Sequence, residues 1–517
     1  MCGIYFSFND RKDMIANSLS HRGPDDISTF KNERVQMHFN RLKINDLSDN
    51  GNQPISFNNV RLICNGEIFN HKELAIFHHF NTVSESDCEV IIHMYLYLKN
   101  KYDNIYQIID LLCNSIDGEF SFCLYDELQD FVICARDPFG VRPLFYDTKT
   151  LSFASELKAF VNHTHVQQFP PRHFAIITEY SNIAIFPYDV ISYNKFIYDD
   201  HSIILSNIKH IFTNAVTKRI MSDRNICALL SGGLDSSLVA AIVAKHTKTP
   251  LKTFSIGLKD SPDLHYAHIV AKHINADHTS IVVDQTDFLN AIEVVIKTIE
   301  SYDTTTVRAS VGNYLVSKYI KEHSDCVVVF NGDYADEVCG GYKYFKQCTD
   351  PTVFHDECSR LVKDICYFDS LRSDRSISAH GLEARVPFAD KEFVHYYLSI
   401  HPSLRMSNHQ IEKCMLRKAF EHSNLLPDEI LWRNKEAFSD GVSKPNESWS
   451  DIITSFVNDQ ISDEEFLQHN SKHFKLKETY YYHKLFSKYY KNDDIIPYLW
   501  MPKFCDPNIS DPSARKL

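Results

Sequence analysis

The second residue of the chain carries a group well suited to nucleophilic chemistry. The sequence begins Met1-Cys2-Gly3-Ile4, and removal of Met1 would leave Cys2 with a free α-amine beside its own thiol. An α-amine has a reference pKa of about 8 and a thiol one of about 8.5, so the neutral amine can accept the thiol proton near neutral pH. We therefore predict that Cys2 acts as a nucleophile that carries its own base, although a cysteine at this position alone is more often incidental.

Polar residues further along the chain could complete a site that attacks the side-chain amide of an amino acid. The Asn65 amide and the Gly66 backbone N–H can donate to an oxyanion. Arg41 can clamp an α-carboxylate, and Glu67 and Asp87 can face an α-ammonium group. Taken singly, these residues have ordinary alternatives: an exposed arginine, a hairpin Asn-Gly turn and solvated carboxylates.

A second group of residues is typical of a phosphate-binding loop. An apolar strand at 226–230 leads into the serine- and glycine-rich segment 231–237, and a helix follows. Small residues let backbone N–H groups converge on an anion, and the helix N-terminus adds partial positive charge. The hydroxyls of Ser231, Ser236 and Ser237 are further candidate donors. The segment has neither the Walker A pattern nor GxGxxG, and a plain strand–turn–helix is the alternative.

Carboxylates and one lysine could complete this second site. Asp235 opens the helix, and the acidic segment 331–337 follows the apolar strand 326–330. Carboxylates that face a triphosphate need a hard cation between them, and Mg²⁺ fits that requirement. Lys435 could neutralise charge on a departing pyrophosphate, although a lone lysine is usually a solvated side chain.

The elements that must position these residues fall into two patterns. The first 190 residues contain short β-like runs, of which four are clear: 34–39, 59–65, 121–126 and 130–137. From about residue 204, apolar runs of strand length alternate with helical segments, which predicts a parallel sheet with helices on both faces. Beyond about residue 355 the sequence is mainly helical. The change of pattern places a domain boundary near 190–203, and we predict domains over 2–195 and 204–517.

Length and composition exclude several classes of protein. A chain of 517 residues predicts two to four domains. The net charge of −13 disfavours non-specific binding to nucleic acids and anionic membranes. No apolar run reaches the roughly 20 residues of a membrane span, and no signal peptide opens the chain. None of the 14 cysteines forms a CxxC pair, so we expect reduced thiols in a soluble cytoplasmic protein. The oligomeric state stays open, with a homodimer among the options.

The first 190 residues resemble the class II glutamine amidotransferase domain. The motifs that carry the resemblance lie at 1–4, 21–25, 41–44, 65–70, 86–90, 135–144 and 154–158. The resemblance implies an α+β N-terminal-nucleophile fold, an αββα sandwich. It also implies that Cys2 carries the glutamyl thioester, that Asn65 and Gly66 form the oxyanion hole, and that glutamine is held by Arg41, Glu67 and Asp87.

The string Ser-Gly-Gly-x-Asp-Ser at 231–236 resembles the loop of ATP pyrophosphatases, and almost the whole chain resembles the glutamine-hydrolysing asparagine synthetase family. Further shared motifs lie at 254–258, 261–264, 305–310, 340–342, 382–388, 431–433 and 511–515. The resemblance implies that Leu229 and Ile256 line an adenosine pocket, that Asp235 and Asp336 ligate Mg²⁺–pyrophosphate, and that Lys435 acts on the ATP phosphates. The remaining candidates for the ATP site are Ser231, Gly232, Gly233, Ser236, Asn331 and Gly332.

Three positions depart from the family pattern. Where the family has Ser-Gly-Glu-Gly, this chain has Asn331-Gly332-Asp333-Tyr334, so the functional carboxylate at 333 is one methylene shorter. A misplacement of about 1 Å can cost roughly 10²-fold in rate, so we expect either an inward shift of the loop or a slower synthetase. Tyr334 replaces a glycine, which restricts the backbone and puts a ring near the nucleotide. Arg172 also replaces a glycine, and we expect only a structural effect.

The function implied by the resemblance is glutamine-dependent asparagine synthesis. Glutamine is hydrolysed at Cys2, ATP activates aspartate as β-aspartyl-AMP with release of pyrophosphate, and ammonia attacks the adenylate. A shielded passage for ammonia between the sites is implied as well. Arg308 and Arg385 are candidates for selecting aspartate. Two alternatives are a synthetase that amidates or cyclises another carboxylate, and a catalytically silent relative that binds glutamine or a nucleotide.

Overall fold

The computed structural model describes most of the chain. The described residues are 1–8, 14–15, 17–162, 164–178, 183–189, 196–407, 411–443, 448–470, 472–506 and 508–512. Residues 190–195 of the predicted domain boundary and residues 513–515 of the last shared motif lie outside this set.

The described residues among the first 190 form twelve strands and three α-helices. The strands are β1 (Gly3–Phe8), β2 (Asp26–Lys31), β3 (Val35–Arg41), β4 (Ile55–Phe57), β5 (Val60–Ile68), β6 (Gly118–Asp126), β7 (Phe131–Arg136), β8 (Phe145–Asp147), β9 (Ser152–Ala154), β10 (Val166–Gln168), β11 (His173–Ile177) and β12 (Ala184–Pro187). The helices are α1 (His71–His78), α2 (Val90–Lys99) and α3 (Ile105–Ser115). The four strands predicted from apolar runs are confirmed as β3, β5, β6 and β7.

These strands form two antiparallel sheets of six strands each that face one another. Their orders are β10-β8-β9-β1-β3-β2 and β12-β11-β7-β6-β5-β4. One apolar cluster joins Ile4 and Phe39 of the first sheet to Ile63 and Cys134 of the second. Because successive side chains of a strand point to opposite faces, the neighbouring residues of β5 and β6 face the other way, and these pack with α2 and α3.

The outer face of the first sheet packs against the second half of the chain. Every residue of β1 is buried, as expected for a strand that is covered on both faces. Tyr5 and Phe145 lie in one apolar cluster with Phe288 and Val307 of the second half. The predicted sandwich is therefore confirmed, and the helices that cover its first sheet include those of the second half.

The second half contains five strands and sixteen α-helices among its described residues. The strands are β13 (Asn225–Leu229), β14 (Lys252–Leu258), β15 (Asp277–Val283), β16 (Cys326–Phe330) and β17 (Glu383–Arg385). The helices are α4 (His201–Lys218), α5 (Leu234–His246), α6 (Pro262–His273), α7 (Gln285–Ile299), α8 (Thr304–His323), α9 (Ala335–Cys339), α10 (Pro351–Asp364), α11 (Asp369–Ser378), α12 (Lys391–Ser399), α13 (Pro402–Arg405), α14 (Cys414–Phe420), α15 (Asp428–Leu431), α16 (Phe438–Gly441), α17 (Trp449–Gln460), α18 (Asp463–His469) and α19 (Lys477–Phe486).

The five strands form one parallel sheet in the order β15-β14-β13-β16-β17. Neighbouring residues of β13 and β16 belong to different apolar clusters, so helices cover both faces of this sheet as predicted. In such sheets ligands bind beyond the carboxyl ends of the strands. Helix α4 begins at His201, so the predicted start of the second domain at residue 204 falls inside this helix. Of the helices described, none is both long and apolar enough to cross a membrane.

Candidate active sites

The Cys2 thiol lies between the two halves of the chain. Its Sγ is 3.5 Å from the Leu42 backbone nitrogen and 3.7 Å from the Leu42 carbonyl oxygen, just after β3. The Arg22 Nε donates to the Cys2 carbonyl at 2.8 Å, and the Met1 amine is buried and donates to the Leu382 carbonyl at 3.3 Å. With Met1 in place, burial raises the pKa of the Cys2 thiol to about 11. A thiol in this state needs a base beside it.

Asn65 and Gly66 lie side by side in β5, and both have properties that fit an oxyanion hole. The Asn65 side chain is fully buried, yet neither its amide nitrogen nor its oxygen has a hydrogen-bond partner among the described residues. Buried polar groups are rarely left unpaired, so this amide is poised for a ligand. A Cβ on Gly66 would lie 2.5 Å from the Glu119 carbonyl oxygen, so only glycine fits.

Next to Asn65 and Gly66, the buried carboxylates of Glu67 and Asp87 both face the side-chain amide of Asn45. The Asn45 side chain donates to Glu67 at 2.5 Å and to Asp87 at 3.2 Å. Burial raises the pKa of Glu67 well above its usual value, and the neighbouring Asp87 raises it further. Burial also raises the pKa of Asp87, against the hydrogen bond that its carboxylate accepts from the Ile68 backbone. A cation bound here would relieve the repulsion between the two carboxylates.

Arg41 differs from its predicted role as an open carboxylate clamp. Its side chain is buried, and its Nη1 donates to the Ser48 carbonyl and to the Asn52 side chain, both at 2.7 Å. Its Nη2 donates to the Asp46 carbonyl. Both terminal nitrogens thus hold the loop that follows β3, and a glutamine carboxylate would have to replace one of these acceptors.

A cavity of about 230 Å³ lies at the carboxyl ends of β13, β14 and β16. Eleven of the predicted residues line it: Leu229, Ser231, Gly233, Asp235, Ser236, Ile256, Asn331, Gly332, Asp333, Asp336 and Lys435. The cavity therefore brings together segments that are as far apart in sequence as β13 and the loop before α16.

The phosphate loop has the predicted strand–turn–helix form. Helix α5 begins after Gly233, which offers no side-chain cap, so the first N–H groups of the helix are open to a ligand. The Ser231 and Ser236 hydroxyls are 3.0 Å apart and both face the cavity. Gly232 has a positive φ of +70° and packs on Tyr266, so it makes the turn and does not line the cavity.

Ser237 does not serve as the predicted phosphate donor. It is fully buried on α5, outside the cavity lining. Because successive helical positions are rotated by about 100°, Ser236 and Ser237 cannot face the same ligand.

The carboxylates of Asp235 and Asp336 face each other across a lysine that the sequence did not single out. The Lys413 Nζ is 2.5 Å from Asp235 and 2.6 Å from Asp336, and the Lys435 Nζ is 2.5 Å from the other Asp336 oxygen. Although burial opposes it, these two lysines hold the pKa of Asp336 well below its usual value. A Cβ on Gly341 would lie 2.0 Å from the Lys413 side chain and 2.2 Å from an Asp336 oxygen, so a larger residue there would displace this cluster.

This cluster can hold a cation only with help from a ligand. Among the described residues, no group of three or more His, Cys, Asp or Glu side chains is arranged to bind a metal ion. One oxygen of Asp235 has no hydrogen-bond partner in the same part of the chain. Mg²⁺ usually takes one or two carboxylates together with phosphate oxygens, so the two aspartates fit a magnesium–nucleotide complex.

The altered loop at 331–334 is held by α11. Asp333 pairs with the Arg372 Nη2 at 2.6 Å, and Asp369 lies 2.8 Å from the same nitrogen, while the Arg372 Nε is buried without a hydrogen-bond partner among the described residues. Burial raises the pKa of Asp333, against the attraction of Arg372. Tyr334 has a φ of +76°, and its buried hydroxyl is 2.5 Å from the Ser370 hydroxyl. Tyr334 borders the cavity and its side chain packs in the core, so a ring near the nucleotide stays a prediction.

The two arginines suggested for aspartate selection lie in different places. Arg308 lines the cavity, but Glu478 and Asp511 already neutralise it at 2.5 Å and 2.8 Å. Arg385 is outside the cavity lining: it pairs with Glu383 at 2.6 Å and lies 3.3 Å from Glu67 of the thiol-bearing half. Arg385 is thus misplaced for selecting aspartate.

Sequence reasoning missed four residues that the structure places at the sites: Arg22, Asn45, Arg372 and Lys413. Arg22 carried a signal, because it lies in a polar cluster after Cys2. The other three lie in ordinary polar segments whose approach to the sites depends on the tertiary fold.

Comparisons with known proteins match the whole chain. The family model described as asparagine synthase matches residues 207–353 and 346–501, and the glutamine amidotransferase domain model matches residues 1–195. The glutamine-hydrolysing asparagine synthetase of Gallus gallus is 39% identical over 568 aligned positions that cover 100% of this chain and 98% of that protein. Those of Bos taurus and Homo sapiens are 39% identical, with the same coverage of both chains.

Proposed function

Because the chain belongs to the family of glutamine-hydrolysing asparagine synthetases, we propose that its two candidate sites are the two centres of glutamine-dependent asparagine synthesis. The enzyme is an ATP-dependent carbon–nitrogen ligase, and its products are asparagine, glutamate, AMP and pyrophosphate. The observation that carries the assignment is that the thiol site and the phosphate-loop cavity occur on one chain that its relatives match from end to end.

In the first centre, Cys2 without Met1 supplies both the nucleophile and its base. The α-amine takes the thiol proton, and the sulfur attacks the side-chain carbonyl carbon of glutamine. Negative charge develops on the carbonyl oxygen, to which the Asn65 amide and the Gly66 N–H donate. The tetrahedral intermediate collapses as ammonia leaves with the proton, and water hydrolyses the thioester to glutamate. Glu67 and Asp87 hold the substrate ammonium group. Binding of this cation is favoured because it relieves the repulsion between the two carboxylates.

In the second centre, the loop at 231–236 and the two lysines hold the ATP phosphates. The β-carboxylate of aspartate attacks the α-phosphorus, and pyrophosphate leaves toward Lys413 and Lys435. Mg²⁺ bound with Asp235 and Asp336 would neutralise charge on the departing pyrophosphate. Lys413 bridges Asp235 and Asp336 in the structure. We expect its ammonium group to move toward the phosphate groups when ATP binds.

The Asp333–Arg372 pair is the proposed site for the α-carbon end of aspartate. Arg372 pairs through its Nη2 with Asp333 and Asp369, while its Nε is a buried donor without a partner among the described residues. A zwitterionic amino acid offers its α-carboxylate to Arg372 and its α-ammonium group to Asp333. Ammonia then attacks the β-carbonyl carbon of the adenylate, and AMP leaves. Since only neutral ammonia attacks, we expect a passage between the centres that is closed to bulk water.

The proposed glutaminase domain spans residues 2–195. The synthetase domain spans 204–517, or begins with α4 at His201 if the boundary follows the helix. We also propose a cytoplasmic location. All 14 cysteines are free thiols in the structure, as is usual for proteins of the reducing cytosol.

One experiment tests the whole assignment. Purified protein is incubated with ATP, Mg²⁺, aspartate and glutamine, products are identified by mass spectrometry, and intact mass gives the state of the N-terminus. We expect asparagine, AMP and pyrophosphate in equal amounts, and a chain that begins at Cys2. Absence of aspartate-dependent exchange between ATP and pyrophosphate would instead identify a silent relative, and a retained Met1 would contradict the proposed base.

A further inference from the structure

Helix α11 of the synthetase half contacts both centres. On one side, Arg372 pairs with Asp333 at the cavity wall, and the Ser373 hydroxyl accepts a hydrogen bond from the Asn331 side chain at 2.8 Å. On another side, Asp374 reaches into the glutaminase half. Because residues 372 to 374 lie within one helical turn, the two contacts are rigidly connected.

The partner of Asp374 is Arg22, the arginine that holds Cys2. Arg22 Nη1 is 2.7 Å and Nη2 is 3.1 Å from the two oxygens of Asp374, which is a two-pronged ion pair. The Nε of the same guanidinium donates to the Cys2 carbonyl at 2.8 Å. Arg22 is completely buried and Asp374 nearly so, so water does not screen the pair.

We propose that Asp374 is a positioning residue for the Cys2 nucleophile and that it acts through Arg22. This inference rests on the proposed role of Cys2. A guanidinium is planar, so a carboxylate that binds both terminal nitrogens fixes the plane in which the third nitrogen points. The direction of the Nε–H bond to the Cys2 carbonyl is therefore set by a residue of the other half.

A second carboxylate on Arg22 does not make Asp374 redundant. Glu156 accepts from the Arg22 Nη1 at 2.7 Å, but it contacts only that nitrogen and is shared with Lys158 at 2.7 Å. A contact with one nitrogen leaves the guanidinium free to turn about it. The Ser378 hydroxyl, 3.1 Å from the same nitrogen, adds a weaker contact from α11. Glu156 alone could neutralise the charge of Arg22, whereas Asp374 is needed to fix the orientation of the Arg22 guanidinium.

The test is Asp374→Asn in the full-length enzyme, since it keeps the shape of the side chain and removes the charge. We expect kcat of glutamine hydrolysis to fall about 10- to 100-fold, because small misplacements of a nucleophile have effects of this size. Alkylation of Cys2 by iodoacetamide should slow by a similar factor. Synthesis from added ammonium should stay within about twofold. The matched control is Glu357→Gln, which alters a fully buried carboxylate that pairs with Arg360 instead.

Three outcomes would overturn the inference: unchanged glutaminase and alkylation rates, an equal loss of both activities, or the same loss in Glu357→Gln. If Asp374→Asn does not fold, Ser378→Ala removes the weaker contact and should slow glutaminase about two- to fivefold. An unchanged rate there would count against the role of α11. Cys2→Ala is assayed in parallel: if it still uses glutamine, the proposed site itself is wrong, whereas a dead Cys2→Ala beside an unimpaired Asp374→Asn refutes only the positioning role.

Discussion

Asp333 and Arg372 are 2.6 Å apart at the cavity wall, so the carboxylate that is one methylene shorter than in the family is held by a guanidinium. The next residue, Tyr334, is locked by its buried hydroxyl. The loop is thus fitted to aspartate. We predict that Asp333→Glu lowers the rate of aspartate-dependent ATP–pyrophosphate exchange about tenfold, because the extra methylene displaces the carboxylate by about 1 Å. A faster exchange would mean that the short side chain limits the natural enzyme.

Arg372→Lys tests the proposed aspartate site. Lysine keeps the charge but loses the planar set of donors that serves both Asp333 and an amino-acid carboxylate. We expect KM for aspartate to rise about 10- to 100-fold while KM for ATP changes less than about threefold, as measured by steady-state kinetics with ammonium. Arg360→Lys is the matched control, because Arg360 pairs with Glu357 outside the cavity lining. Equal changes in both KM values would argue against a specific aspartate contact.

Cys2→Ala should abolish asparagine synthesis from glutamine and leave synthesis from added ammonium. The reason is that the two centres use separate residues and share only the ammonia. Asparagine formed with each nitrogen donor is measured side by side, with Cys505→Ala as a control because it is also a partly buried cysteine. Loss of both activities in Cys2→Ala alone would contradict the scheme of two centres.

Asn65→Ala should slow glutamine hydrolysis by about 10²–10³, the usual cost of removing one oxyanion donor. The side chain is fully buried and has no hydrogen bond to lose to the described residues, so the fold should tolerate the change. The glutaminase kcat and the thermal midpoint of unfolding are measured together. A normal rate would remove Asn65 from the oxyanion hole, and a lowered midpoint would point to a structural role.

The pH dependence of stability should reveal Asp263, which lines the cavity beside Arg433. Burial raises its pKa from 3.8 to about 7, against the attraction of Arg433. Between these values the folded state binds more protons than the unfolded state, so this group lowers stability as pH rises from about 4 to about 7 and has no further effect above that range. Asp263→Asn stays neutral, so it should already be more stable than the wild type by about 1.6 kcal/mol at pH 5, and the difference should widen up to about pH 7.

At pH 8 the same variant should gain stability relative to the wild type by a few kcal/mol, about 1.4 kcal/mol for each unit of pKa shift. Midpoints of thermal unfolding at pH 5 and pH 8 are the measurement. Asp103→Asn, at an exposed position, serves as the control and should show no such difference. A constant gap between Asp263→Asn and wild type at both pH values would refute the shift.

Local patterns were sufficient to predict much of the fold and part of the sites. The strand β13, the loop after it and helix α5 follow from an apolar run, small residues and a helical segment that adjoin in the chain. The chemistry of Cys2, Asn65 and Gly66 made them candidates, but their roles were assigned through the resemblance to the amidotransferase family and stay predictions.

The residues that were missed depend on contacts between distant segments. Lys413 lies just before α14 with a φ of +56°, and only the packing of α14 brings it between Asp235 and Asp336. The interpretation of Arg385 was wrong because the end of β17 faces the glutaminase half rather than the cavity. The prediction that Ser237 donates to a phosphate was wrong because its position on the helix, one residue after Ser236, turns its side chain into the core.

The charges buried between the halves limit how the protein could be recombined. Arg22 is neutralised in part by Asp374, and Glu119 pairs with Arg219 of α4 at 2.8 Å. A hybrid that joined this glutaminase unit to an unrelated ligase would bury a guanidinium or a carboxylate without its counterion, at a cost of roughly 3–5 kcal/mol for each. Two or three such mismatches equal the whole stability of a typical domain, so grafts should succeed only when the ionic partners are transplanted together.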